Sequence, residues 1–150
     1  MKEGKNIMEN SKMAENNYVC LSGVISEECV FSHEVYGEGF YIFKTEVKRL
    51  SENEDILPVT VSERLIDVNS LKREMNVNVM EQLRSYNHYS SKKNKLVLTT
   101  FAREIEIGEN ILANPNEIFL NGFICKSPVY RTTPFGREIT DLLIAVNRSY

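Results

Sequence analysis

The sequence predicts an all-β domain with one small helix, closed into a five-stranded barrel and followed by a hairpin that opens a second unit of the same kind. Three observations carry this. Five runs read as short strands, and two of them, 77–83 and 96–102, show the apolar–polar alternation of a half-buried strand. Helical spacing occurs between the third and fourth runs. The segment 116–150 repeats the start of the domain at a constant offset of 99 residues.

The chain has 150 residues, enough for one ordinary domain and some extra. Its formal net charge of −3 argues against a protein that coats duplex DNA by bulk charge. A local basic groove is still compatible with that balance, because the local field is what steers a ligand. No apolar run reaches the length of a membrane span, and the N-terminus lacks the apolar stretch of a secretory signal. Cys20, Cys29 and Cys125 form an odd set without CxxC spacing, and His33 and His88 make no ligand-like arrangement with them. They read as reduced, mostly packed thiols of a cytoplasmic protein, with no metal site.

Residues 1–16 are polar, mixed in charge and aperiodic, and are expected to be a disordered leader. The domain is placed at residues 17–110. Its first strand covers 18–25, with an extended second half over 29–35, and Gly23 marks a bulge or sharp bend inside it. Tyr36-Gly-Glu-Gly39 is turn chemistry. The second strand, 40–49, puts Tyr41, Phe43, Thr45 and Val47 on one face and Phe40, Ile42, Lys44, Glu46 and Lys48 on the other. The first face reads as core and the second as a mixed surface that faces a ligand. After a charged loop, 50–55, comes a third strand, 56–62, expected at a sheet edge because Pro58 cannot donate to a ladder. In 63–75, Leu65, Val68, Leu71 and Met75 recur at helical spacing, which predicts a short helix that plugs the core.

The last two runs, 77–83 and 96–102, flank a polar segment, 85–95, and read as a hairpin with a long loop. That segment carries Tyr86, Tyr89, Lys92, Lys93 and Lys95. Rings beside ammonium groups suit a single-stranded nucleic acid, because rings stack on bases and cations neutralise phosphates. A solvated, lysine-tipped hairpin that avoids aggregation is the plain alternative. The order β-β-β-α-β-β is that of the OB-fold, a small partly open barrel. An open bundle of the same elements is the competing architecture, which the bent first strand and the helix position disfavour.

The repeat runs without a gap. Asn17, Leu21, Gly23, Ile25, Gly37, Val47 and Arg49 recur as Asn116, Leu120, Gly122, Ile124, Gly136, Val146 and Arg148. Residues 116–150 therefore read as the first strands of a second OB unit. A hairpin with that much apolar surface is marginal alone and needs another strand or a packing face. The expectation is a homodimer, or a higher even oligomer, with this segment in the interface.

Catalytic patterns are missing from the sequence. There is no nucleophile elbow, P-loop or HExxH, and the carboxylate pair Glu104 and Glu106 reads as a solvated strand end. An enzyme is not expected, and nothing calls for a cofactor.

Residues 116–150 resemble the N-terminal part of bacterial single-stranded DNA-binding proteins. They share the apolar strand ending in Gly, a P-x-x-R-x-T-P-x-G loop (Pro128, Arg131, Thr133, Pro134, Gly136) and an apolar strand leading to Ala-Val-Asn-Arg. The looser match in 17–103 is best at Gln82-Leu83-Arg84. The whole looks like a clostridial-type two-OB relative whose second barrel is cut short. The resemblance implies Arg84, Tyr86, Tyr89, Lys92, Lys93 and Lys95 as strand contacts. Phe40, Lys44, Lys48, Phe101 and Arg103 are expected groove contacts, and Tyr130, Arg131 and Arg137 are their expected companions in the repeat. Glu74 and Glu81 stand where the family usually has Gly, and Glu81 is expected to lower the local positive potential. The family's acidic, glycine-rich tail is not among these 150 residues, so partner docking through such a tail is not expected of them.

Two functions remain in view. The favoured one is sequence-tolerant binding of single-stranded DNA, with RNA as a variant, in replication, repair or recombination and alongside replication proteins. The other is an OB module for protein interaction with little nucleic-acid affinity, motivated by the acidic balance.

Overall fold

The structure is a computed structural model that describes residues 16–89, 93–108 and 116–147, with the backbone alone at residues 88 and 89. The expected leader and Lys92 thus lie outside the described residues, Asn16 excepted. The chain divides into two compact units, Tyr18–Ile118 and a second one from Phe119 onward.

The first unit is built from β1 (Asn17–Val35), β2 (Glu38–Lys48), β3 (Glu54–Ser62), β4 (Asn76–Tyr89) and β5 (Asn94–Ile107). β1 pairs with β4 up to Val24 and with β2 from Val24 onward. β2 pairs antiparallel with β3 along the whole of β3. β3 meets β5 in parallel at Val59/Thr100 and Thr60/Phe101, and β5 pairs antiparallel with β4. The circuit closes into the five-stranded barrel of an OB-fold. Strand alternation turns Val19, Leu21, Ile25, Phe43, Val59, Val61, Val77 and Val79 into one buried core. Complete burial of such a side chain contributes about 1.5–3 kcal/mol.

Gly23 sits where β1 changes partner. A Cβ there would collide with the carbonyl oxygen of Glu46, so only glycine allows the two strands to turn this corner. The register irregularities of β1 fall further on, between Ile25 and Glu27, Glu27 and Val30, and Phe31 and His33. The turn into β2 is the two residues Tyr36 and Gly37, with φ of 50° and 77°. Two consecutive positive φ values belong to a turn whose twist matches that of the flanking strands.

Three expectations need correction. The helix over 63–75 is not formed; a single 3₁₀ turn, Val68–Ser70, takes its place. Asp67 accepts from the Asn69 amide, and the Ser70 hydroxyl donates to the Asp67 carbonyl, so short polar side chains capture the backbone before a helix can propagate. Leu71 is nonetheless buried in the core, with Ile66, Val68 and Met75 packed against it, so the plug survives without the helix. β3 is not an edge strand, because β5 closes on it; that pairing starts at Val59, just past Pro58. Finally, the polar segment 85–95 is mostly strand, since β4 and β5 stay paired out to Tyr89/Asn94.

The second unit holds β7 (Phe123–Ile124), β8 (Val129–Thr132), β9 (Glu138–Asp141) and β10 (Ile144–Ala145); β6 (Glu117–Leu120) leads into it. Its pairs Phe123/Ala145, Ile124/Ile144, Val129/Asp141 and Tyr130/Thr140 reproduce Val24/Glu46, Ile25/Thr45, Val30/Ile42 and Phe31/Tyr41 at the offset of 99. Gly122 repeats the corner as well, since a Cβ there would meet the Ala145 carbonyl oxygen. Its turn differs. The Gly136 amide donates to the Thr133 carbonyl at 2.9 Å and the Thr133 amide to the Arg137 carbonyl at 2.8 Å, with Pro134 at the position that favours its fixed φ.

Candidate nucleic-acid interface

The outward face of the barrel carries a continuous line of rings. The two-residue turn sets His33 directly opposite Phe40, and their rings stack with centroids 4.9 Å apart at 13°. Phe40 lies against Phe101 at 5.5 Å, and the Arg84 guanidinium stands over the other part of the line, 4.0 Å from the Phe101 centroid. Cations held over ring faces in this way are attracted by the ring quadrupole. Tyr86 follows Arg84 on the same face of β4, opposite Val97, and is 52% exposed. The sequence therefore supplies, by strand alternation alone, a surface of stackable faces with one guanidinium built in.

Of the expected site residues, the structure brings Phe40, Phe101 and Arg84 together and leaves Tyr86 beside them. Arg84 is also 3.4 Å from the Gln82 Oε1, which fixes its plane. Lys93 and Lys95 are exposed at the far end of the β4–β5 ribbon; the Tyr89 side chain, like Lys92, lies outside the described residues. Arg103 is the extra residue of a bulge, because Met80 faces Glu104 and Glu81 faces Ala102. Lys44 forms an exposed ion pair with Glu27 at 3.0 Å, and Lys48 is exposed at the end of β2. Tyr130 donates to Glu138 at 2.9 Å and Arg131 to Asp141 at 3.0 Å, so these two contacts of the second unit are held by carboxylates, while Arg137 is exposed.

Glu81 is not the surface charge expected of it. Residues 77, 79 and 81 share the inward face of β4, and Glu81 is 1% exposed. Neither of its carboxyl oxygens has a hydrogen-bond partner among the described residues. Burial pushes its pKa up to about 8, and Thr100 only weakly opposes this; the Thr100 hydroxyl donates to the Pro58 carbonyl at 2.9 Å. The carboxyl is therefore mostly protonated at pH 7 and does not offset the cations of the face. Glu74 takes φ 69°, the left-handed conformation that favours glycine, and its amide donates to Ile25.

Sequence reading missed His33. The signal was present: counting outward from a Tyr36–Gly37 turn pairs residue 33 with residue 40.

No family model and no curated protein matches the chain. Solved structures do. The N-terminal domain of the PriB protein from Thermoanaerobacter tencongensis, a dimeric structure, is 46% identical; the match covers 64% of this chain and all of that one, with a TM-score of 0.56. The chain belongs to the family of this PriB domain. The single-stranded DNA-binding protein from Thermus aquaticus superposes at a TM-score of 0.71 and 20% identity, over 87% of this chain and 68% of that one. A deletion mutant of the same Thermus protein gives 0.64 and 20%, over 90% and 71%. At that identity the Thermus comparisons speak for the fold. Among the described residues no helix is long and apolar enough to cross a membrane.

Proposed function

We propose that the chain binds single-stranded DNA with little sequence preference, by stacking bases on the barrel's outer face and neutralising phosphates with the cations around it. The observation that carries this is the line from Phe40 through Phe101 to Arg84, in which ring faces and a guanidinium laid over one of them suit stacking on any base and neutralisation of phosphate. The names of the relatives, PriB and single-stranded DNA-binding protein, support the same reading. Residues 116–150 are, on this proposal, the opening strands of a second OB unit, as the repeated register supports. The chain works as a homodimer, in keeping with the dimeric PriB domain; we assign its interface to residues 116–150 because a hairpin of this kind needs a further strand or a packing face.

The test is a titration of labelled oligo-dT at two salt concentrations, with Phe101→Ala alongside. Affinity should fall with salt, and the substitution should cost about 1–3 kcal/mol for a base lost from its ring. Micromolar protein that fails to bind at low salt rejects this function. It leaves the interaction-module reading, which the exposed Phe123, Ile124, Phe135 and Leu142 of the second unit favour. Light scattering on the full chain and on a version stopped at Asn114 tests the assembly. A monomeric full chain rejects the dimer, and a dimer that survives the cut moves its interface to the barrel.

A further inference from the structure

We propose that His33 is the terminal stacking residue of the nucleic-acid face, taking a base on the ring side that Phe40 does not cover. The inference rests on the DNA-binding reading above and extends it onto the β1–β2 hairpin. His33 and Phe40 are nearly parallel at 4.9 Å, too close to admit a base between them. A ring backed in this way on one side offers its other side to a base at little entropic cost, because its position is already set. His33 is exposed, and Ser32 Oγ lies 3.0 Å from its Nδ1, which further holds the ring plane. Its Nε2 has no partner among the described residues and is left for a phosphate or a base edge. The line of rings then begins on β1, crosses β2 and β5, and ends at Arg84 and Tyr86 on β4, so that a bound strand runs across the barrel strands. The repeat shows that the pair is particular to the first unit: Thr132 and Ile139 stand at the positions equivalent to His33 and Phe40.

The experiment is an anisotropy titration of oligo-dT with the full chain, His33→Ala, His33→Phe and Phe101→Ala, with thermal melts in parallel. His33→Ala should weaken binding about fivefold or more. His33→Phe should restore it, and neither should move the melting temperature. Binding by His33→Ala that equals the parent's, while Phe101→Ala loses affinity, rejects the role of His33 and leaves the function standing. A parent chain that does not bind rejects both. Failure of His33→Phe to restore binding rejects stacking as the mechanism. A second measurement needs no variant: photocrosslinking of the full chain to an oligo-dT carrying 5-iodouracil should label the peptide containing residue 33. Crosslinks confined to β4 and β5 overturn the proposal.

Discussion

The two copies of the repeated hairpin share a backbone and differ in chemistry. Both turn their corner at a glycine pressed against a facing carbonyl oxygen, Gly23 against Glu46 and Gly122 against Ala145, and both keep the same cross-strand pairs as far as Phe31/Tyr41 and Tyr130/Thr140, beyond which the first copy shifts register by one residue. On that common frame the first copy displays His33 and Phe40 as a ring pair, while the second sets Tyr130 and Arg131 against Glu138 and Asp141. Close backbone approach and strand alternation govern where the chain goes. The residues left pointing outward govern what it can hold, and these have diverged. The core positions diverge in use as well. Ile25 and Phe43 are fully buried in the barrel, whereas their counterparts Ile124 and Leu142 are largely exposed.

The sharpest break of this comparison is at the corners. Gly23→Val should abolish the cooperative unfolding transition of the barrel, because the new side chain meets backbone of β2 and the Thr45 methyl. Gly122→Val makes the same collision in the second unit and should leave the barrel's transition in place. Thermal melts followed by circular dichroism separate the two, and equal damage from both would mean that the units do not fold independently.

A smaller effect, though still several kcal/mol, concerns Glu81, whose equivalent position lies beyond the repeat. Its folded pKa is raised, so the folded barrel keeps a proton that the unfolded chain releases above about 4.5. The unfolded state then binds fewer protons, and stability falls as pH rises. Its contribution is fully present below about pH 4.5, is lost progressively up to about pH 8, and is flat beyond. The loss is on the order of 3–5 kcal/mol. Urea titrations between pH 5 and 8 should show the decline in the parent chain and a flatter profile in Glu81→Gln; identical slopes would count against the buried carboxyl as its source.

The smallest expected change tests the second copy's carboxylates. Asp141→Asn frees Arg131 from an exposed ion pair whose own worth is about 0–1 kcal/mol. If the repeat touches DNA, oligo-dT binding should tighten by no more than a few-fold and its salt dependence should steepen. An unchanged salt slope would confine binding to the barrel.

Much of the fold was legible because alternation survives folding. The faces of β2 follow the alternation, Phe43, Thr45 and Val47 inward and Phe40 and Lys44 outward, and Phe40 lies on the candidate face while Lys44 pairs with Glu27. What was not legible depended on competition or on distant pairing. Leu65, Val68, Leu71 and Met75 keep a helical spacing, yet Asp67 and Ser70 divert the backbone into a 3₁₀ turn. Pro58 argued for an edge because nothing local announces a parallel partner forty residues away. Glu81, compared with the Gly of the resembled family, reads as a charge that lowers the local positive potential, although its parity with Val77 and Val79 places it inside. The contact between Phe40 and Phe101 could be seen only once β3 had brought the two strands to either side of itself.

That last arrangement bears on the barrel's weakest joint. β3 and β5 are paired over two residue pairs, Val59/Thr100 and Thr60/Phe101, whereas each of the other strands is held by a longer ladder. Phe40 belongs to the wall on one side of this seam and Phe101 to the wall on the other, with their rings in contact above it. A ligand laid along both rings is therefore a strap across the joint. On the proposed reading, a strand bound on that face also holds the barrel shut, and the same few side chains serve as grip and as clasp.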